Sequence, residues 1–411
     1  MNEDFAISDK SWSSPSTRRT AFLTGGGILL TMLPVTLLVP VLKELVSVQF
    51  EVSNFWAHAF MSTSLIGGIL AAPLAGMIID RSQHRRLLIV VALVGNALCF
   101  AAMALAPTFL SLMTARFIEG AMHITALTAW MATAADLSPR GRAGRIMGVL
   151  GGLIILGITI GVPLGGVVAR HSVTAVLWFA ALFSILAALL ALPLRPVTSN
   201  IRERFRFREY YDHLRTHPEL LIPYAYSFID RLSIGVVVST LTIYMSDILA
   251  LTPAQRGIEL SFFLLPFALL SYPVGRLSDR IGRSGLMVTG SICFGIVFMS
   301  YGYVSGPTLM LAMVASGLFS AAMFTPTLAL CKDLSPFQHH GIAFSGYNIA
   351  GSLGFVVGPL IGGGIFTFLE SRMPLIEAYR GTFVITGIFE IACALISLPF
   401  LIRLARAGRV K

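Results

Sequence analysis

Long apolar runs separated by short polar breaks repeat along the whole chain, and this pattern predicts a series of membrane-spanning helices. The runs fall at 20–43, 54–79, 87–106, 108–135, 144–169, 173–194, 219–249, 255–276, 285–304, 306–331, 340–369 and 379–402. Each is long enough to cross ~30 Å of hydrocarbon at about 1.5 Å per residue. The longest polar stretch, RPVTSNIRERFRFREYYDHLRTH at 195–217, divides the series into two sets of six. Its arginines at 202, 204, 206 and 208 suit a surface linker, partly helical at the lipid headgroups.

Composition agrees with the pattern. Apolar residues make up 55% of the chain and charged ones only 12%, against about 25% charged in a soluble domain. The mean hydropathy is +0.80. The first nineteen residues are polar, without an apolar core or a small-residue cleavage site, so they read as a tail leading into the first span. Cys99, Cys293, Cys331 and Cys393 are scattered, with no CxxC pair or Cys/His cluster, so neither a disulfide framework nor a metal site is expected.

Charge sets the orientation. With spans alternating sides, 23 of the 30 Lys and Arg fall on the side of the N-terminus. Lys43, Arg170, Arg256, Arg372 and Arg380 lie opposite, and Arg116 and Arg231 fall within spans. Positive residues stay cytoplasmic, which puts both termini in the cytoplasm. The net charge of +10 is thus a topology signal, and a nucleic-acid partner is not expected. The expected organisation is a cytoplasmic tail at 1–19, a six-helix bundle at 20–194, a cytoplasmic linker at 195–217, a second six-helix bundle at 218–402 and a tail at 403–411.

The two sets of six match each other. Asp136-Leu-Ser-Pro returns as Asp333-Leu-Ser-Pro, 197 positions later. Gly157-x-x-x-Gly161 with Gly165-Gly166 returns at the same offset of 197 as Gly354-x-x-x-Gly358 with Gly362-Gly363. Gly76-Met-Ile-Ile-Asp80-Arg81 returns as Gly275-Arg-Leu-Ser-Asp279-Arg280, offset by 199. Three motifs at nearly one spacing mark a duplicated six-span unit.

These loops carry a resemblance. GRLSDRIGRS at 275–284 resembles the G-x-x-x-D-R-x-G-R-[KR] signature of the major facilitator superfamily, with Ser284 in the last place. Its twin, GMIIDRSQHRR at 76–86, has Gln83 and His84 where the pattern has Gly and Arg. The resemblance covers all twelve spans. It implies an all-α membrane fold of two pseudo-symmetric six-helix bundles, with a central cavity open alternately to either side. It also implies gate roles for Gly76, Asp80, Arg81, Arg85, Gly275, Asp279, Arg280 and Arg283. Asp80 stands at a helix C-terminus, where the dipole disfavours an anion, so a partner elsewhere is expected: the start of span 11, and the start of span 5 for Asp279. GITIGVPLGG at 157–166 resembles the family's glycine–proline antiport signature, and GFVVGPLIGG at 354–363 is its second copy. Glycines four apart let helices approach closely, and Pro163 and Pro359 permit a bend.

Ionisable residues at membrane depth are candidates for function. Arg116, Glu119 and His123 share one face of span 4, and Arg116 with Gly120 fits the family's R-x-x-x-G pattern, which implies a part in proton movement. The matched positions in the second half are Met313 and Ser316, so the charges are not a requirement of the repeated fold. Asp230 and Arg231 lie in span 7; neighbours on a helix point about 100° apart, so at least one needs a partner on another helix, with a cross-bundle pair to Arg116 or Glu119 as one candidate. Tyr224, Tyr226, Phe228, Tyr244 and Trp130 could stack on an organic substrate or simply pack.

The expected protein is a secondary active transporter of a small organic molecule, working as a monomer in the cytoplasmic (inner) membrane without a cofactor. It is expected to export a drug-like compound, metabolite or siderophore against proton entry, with Na⁺ as the other candidate ion. Uptake by symport and a non-transporting receptor are the alternatives. No phosphate-binding loop, nucleophile–base set or metal cluster points to an enzyme.

Overall fold

The structure, a computed structural model, describes residues 15–81, 84–136, 143–194, 214–335 and 340–407, and only the backbone at 15–17, 80–81, 135–136, 143–151 and 340–342. The first tail up to residue 14, most of the linker (195–213), 137–139 of the first DLSP copy and Pro336 of the second lie outside the described residues.

Among the described residues there are twelve long helical runs and no strand. They are α1 (Pro15–Leu37), α2 (Asn54–Arg81), α3 (Arg85–Ala104), α4 (Phe109–Asp136), α5 (Ala143–Val168) and α6 (Val173–Ala191). After the linker come α7 (Pro218–Asp247), α8 (Pro253–Ile281), α9 (Arg283–Ser300), α10 (Pro307–Asp333), α11 (His340–Glu370) and α12 (Leu375–Arg406). Ten are long and apolar enough to cross a bilayer by length and composition. The other two are α5, apolar over Gly152–Val168, and α4, which spans 28 residues with charges in its interior.

Local chemistry sets the helix ends. Thr252 caps α8 in a reciprocal box: its hydroxyl accepts from the Gln255 N–H at 3.4 Å, and the Gln255 side chain accepts from the Thr252 N–H at 2.9 Å, with Pro253 at the first helical position. Ser172 caps α6 by accepting from the Thr174 N–H at 3.1 Å. Between α8 and α9 the chain turns on Gly282 at φ +100°, a backbone that a side chain would strain. That turn gives the glycine of the loop signature a mechanical reason. The terminal helix outruns the apolar pattern: α12 ends at Arg406, with Arg403 and Arg406 at its C-terminal dipole.

Packing divides the chain into two compact units. The first takes Met1–Leu45 and Thr63–Glu203; the second takes Val46–Ser62 and Arg204–Lys411. The first turns of α2 therefore pack with the second half of the chain. The two units repeat one packing plan: α1 with α5 and α6, α3 with α4 and α6, then α7 with α11 and α12, α9 with α10 and α12.

Glycines make the closest of these packings. A Cβ at Gly157 would stand 2.7 Å from the Met32 side chain, and one at Gly161 or Gly165 would collide with Thr36 or the Leu37 carbonyl, so α5 lies directly on α1. In the second unit Gly354 and Gly358 lie against the Phe228 and Leu232 carbonyls of α7, and Gly362 against Thr240. Pro359 meets Gly235 there, and Pro163 stands inside α5. Outward-facing positions are apolar and open: Leu98 (65%), Leu110 (74%), Leu269 (65%) and Ile396 (68%) are exposed, surface that suits hydrocarbon and not water.

Candidate functional site

Each unit buries its own carboxylates, and it does so differently. In the first, Arg116 and Glu119 lie one turn apart on α4 and form an ion pair at 2.8 Å, with exposures of 1% and 0%. The Ser64 hydroxyl on α2 donates to the same Glu119 Oε2 at 2.8 Å. The contact exists because Gly120, the next residue, presses α4 onto the Ser64 backbone, where any Cβ would collide. Asn96 on α3 is fully buried between Ser184 of α6 (3.0 Å) and Glu119. With the amide oriented to donate to Glu119, its nitrogen lies 3.3 Å from Oε1. Glu119 thus has a cation, a hydroxyl and an amide around it. His123 follows on α4, and its Nδ1 is buried without a hydrogen bond among the described residues.

In the second unit, Asp230 on α7 is buried and accepts from the Ser320 hydroxyl of α10 at 3.3 Å, the partner on another helix that the sequence demanded. Its neighbour Arg231 nevertheless reaches back to 3.7 Å from Oδ2, closer than the 100° offset between the two residues suggested. A long flexible side chain overcomes that offset. The Arg231 guanidinium also lies over the Phe324 and Phe355 rings, at 5.3 and 5.8 Å. Each arginine therefore pairs with an acid of its own helix.

Glu390 on α12 is a further buried acid, 1% exposed. Its Oε2 accepts from Ser233 of α7 at 2.8 Å and its Oε1 from Ser291 of α9 at 2.9 Å. Among the described residues no Lys, Arg or His pairs with it. A signal for it exists in the repeat. Ser184-Ile-Leu-Ala-Ala-Leu-Leu-Ala-Leu-Pro matches Glu390-Ile-Ala-Cys-Ala-Leu-Ile-Ser-Leu-Pro, and Gly95-Asn96 matches Gly290-Ser291. The neutral Asn96–Ser184 bridge of the first unit thus becomes Ser291–Glu390 in the second.

The loop signature is visible in its second copy. Asp279 is 64% exposed and receives Arg283 at 3.5 Å, and Arg283 in turn pairs with Asp333, the acid of the second DLSP phrase. The two repeated phrases are therefore joined through one arginine. Arg85, first residue of α3 as Arg283 is of α9, is buried and reaches the Ala132 carbonyl of α4 at 3.5 Å. Gly275 faces Thr325 of α10 while Gly76 meets nothing, and Arg280 is exposed. The side chains of Asp80 and Arg81 lie outside the described residues.

A further polar set joins the start of α2 to α7 and α12 within the second unit. Asn54 donates to Asp247 at 3.1 Å, Tyr379 donates to the same oxygen, and His58 meets Thr240 at 3.0 Å in the π-turn Val237–Leu241. The aromatics noted in sequence mostly pack: Trp130 is fully buried, Tyr226 bonds Ser397 at 2.9 Å, and Tyr244 stacks edge-on against Tyr379. An open recess of about 590 Å³ between α3 and α4, lined by Leu98, Ala102, Leu110 and Ile118, contains none of these acids.

Comparison with known proteins adds to this geometry. The family model described as Major Facilitator Superfamily matches residues 24–229 and 224–410. The multi-drug resistance efflux pump PmrA homolog of Lactococcus lactis is 26% identical over 351 residues, covering 81% of this chain and 82% of the relative. The quinolone resistance protein NorA of Staphylococcus aureus is 29% identical over 157 residues, 38% of this chain and 40% of the relative. Among solved structures, a bacterial homolog of the human lysosomal transporter Spinster superposes with a TM-score of 0.77 at 16% identity, covering 93% and 96% of the two chains. The D-xylose–proton symporter superposes with a TM-score of 0.73 at 16% identity, covering 92% and 97%. At such identities the structures speak for the fold alone.

Proposed function

The chain belongs to the Major Facilitator Superfamily, a family of membrane transporters, and from that premise we propose that it is a proton-coupled exporter of small organic molecules. It works as a monomer in the cytoplasmic membrane, with both termini inside, and moves its cargo by alternating access. The observation that carries this reading is the Arg116–Glu119 pair, buried in α4 and closed around by Ser64 and Asn96. A charge pair at that depth stabilises a fold poorly compared with apolar packing, and the second unit builds the same helix plan with Met313 and Ser316 in its place. The pair is therefore kept for what it does.

Glu119 in its charged form holds Arg116, while uptake of a proton by the carboxylate removes the counter-charge of the guanidinium. Asp230 and Arg231 offer the same exchange in the second unit. In the export cycle the deprotonated acids favour cargo binding and proton entry from outside releases it, so each charge state commits the protein to one step. Paired charges of both signs suit a zwitterionic cargo such as a quinolone, the compound class in one relative's name. Export, rather than uptake, draws support from the two glycine–proline segments and from the efflux pump similar over 81% of this chain.

The test is flux in everted vesicles energised to an acidic interior, with ciprofloxacin as probe. Export against protons predicts that drug accumulates inside while the pH gradient falls. Symport predicts drug leaving with the protons, and a receptor predicts no flux at all. In the exporter, Glu119→Gln lowers gradient-driven accumulation about 100-fold or more, the order of a lost proton-transfer step; full activity in that variant, and in Asp230→Asn, overturns the reading.

A further inference from the structure

We propose that Glu390 is a proton-binding site of the second unit, held by Ser233 and Ser291 and exchanging its proton as pH changes. The inference rests on the proton-coupled reading for its place in the cycle, but the proton itself is open to direct observation.

Three observations carry it. First, the carboxyl group is buried at 1% exposure inside a helix bundle, and its only bonded partners among the described residues are two neutral hydroxyls. An isolated ionised carboxylate in such surroundings is strongly disfavoured, and in practice the group takes up a proton. Glu119, at equal burial, has Arg116 at 2.8 Å; among the described residues Glu390 has no cation paired with it.

Second, the hydroxyls fit both states of the acid. When Glu390 is charged, Ser233 donates to Oε2 and Ser291 to Oε1. When a proton binds at Oε1, that O–H donates to Ser291 Oγ, and the Ser291 proton turns to the Glu390 backbone carbonyl, which lies 3.3 Å from the same Oγ. One proton is gained, no bond partner is lost and no side chain has to move. Titration is therefore compatible with a close-packed interior.

Third, a neutral pair is sufficient for packing at this place in the fold. The matched position in the first unit is Ser184, bonded to Asn96 at 3.0 Å between the corresponding helices α3 and α6. The repeated architecture does not require an acid there.

The groups facing Glu390 are few. From α7 come Ser233 and, one turn earlier on the same face, Asp230; Tyr226 on α7 bonds Ser397 on α12, and Cys393 follows Glu390 on α12. From α9 comes the Ser291 hydroxyl. Asp230 and Glu390 are thus two acids of one unit, on adjacent helices, the first beside Arg231 and the second, among the described residues, bonded by hydroxyls alone.

The experiment follows the infrared C=O band of protonated carboxyl groups in the full-length protein reconstituted in lipid. The band is titrated with pH in potassium and then in sodium buffer. The expected result is a reversible band that disappears in Glu390→Gln and persists in Glu119→Gln, with a midpoint indifferent to sodium. An unchanged band in Glu390→Gln overturns the proposal, and so does a band displaced by sodium at constant pH, which marks a cation site. Where Glu390→Gln fails to fold, Ser291→Ala keeps the carboxyl group and must shift the band frequency; an unshifted band overturns the assignment. Ciprofloxacin flux in the same vesicles separates the two readings. Absent flux with an intact Glu390 band overturns the exporter and leaves this site, whereas flux without any Glu390 band does the reverse.

Discussion

The helices α3 and α6 of the first unit and α9 and α12 of the second are copies of one another, yet one pair is bridged by Asn96 and Ser184 and the other by Ser291 and Glu390. In the first unit a buried acid stands on α4 with an arginine one turn away; in the second, besides Asp230 beside Arg231 on α7, a buried acid stands on α12 with serines. Duplication preserved the helix plan and left the chemistry free to diverge. The difference teaches how each acid answers its burial. Glu119 faces the opposite charge of Arg116 at 2.8 Å, while Glu390 faces hydroxyls that serve a charged and a neutral carboxyl equally well.

That contrast can be broken by substitution. Arg116→Ala leaves Glu119 buried without its cation and is expected to destabilise the protein by about 3–5 kcal/mol, whereas the paired replacement Arg116→Met with Glu119→Met recovers most of the loss. Thermal unfolding in detergent measures both, and equal stability of the single and double variants contradicts a charge-balanced Glu119. A smaller effect comes from Gly120→Ala. The new methyl group meets the Ser64 backbone, pushes α4 from α2 and weakens the Ser64–Glu119 bond, at a cost of roughly 1–3 kcal/mol. Smallest of all is Glu390→Gln, which keeps acceptor and donor atoms for both serines and changes stability by under ~1 kcal/mol. A large loss there shows that an ionised Glu390 has a structural partner and removes the distinction between the two acids.

Much of this was legible in the chain itself. The period and length of the apolar runs located all twelve helices, because a helix that must satisfy its own backbone in lipid leaves a continuous apolar signature. The doubled phrases revealed the duplication, and Arg116, Glu119, Asp230 and Arg231 stood out because charge is rare at that depth. Glu390 did not, since its importance lies in three helices meeting around it and not in its own neighbours along the chain. The pairing of Asp230 with Arg231 was hidden for a related reason: helical spacing describes where a side chain starts, not how far a long arginine can bend. The set of Asn54, His58, Asp247 and Tyr379 joins residues up to 325 positions apart, a separation no local pattern encodes.

Sequence alone therefore determined the membrane class, the number of crossings, the repeat and the family, since each is a sum or a period along the chain. The tertiary structure decided which acid has a cation and which, among the described residues, has only hydroxyls, and it moved the first turns of α2 into the second unit. The reason is physical: hydropathy accumulates residue by residue, but the state of a buried carboxyl group depends on the few atoms within about 3 Å of it, and helix rotation and packing choose those atoms.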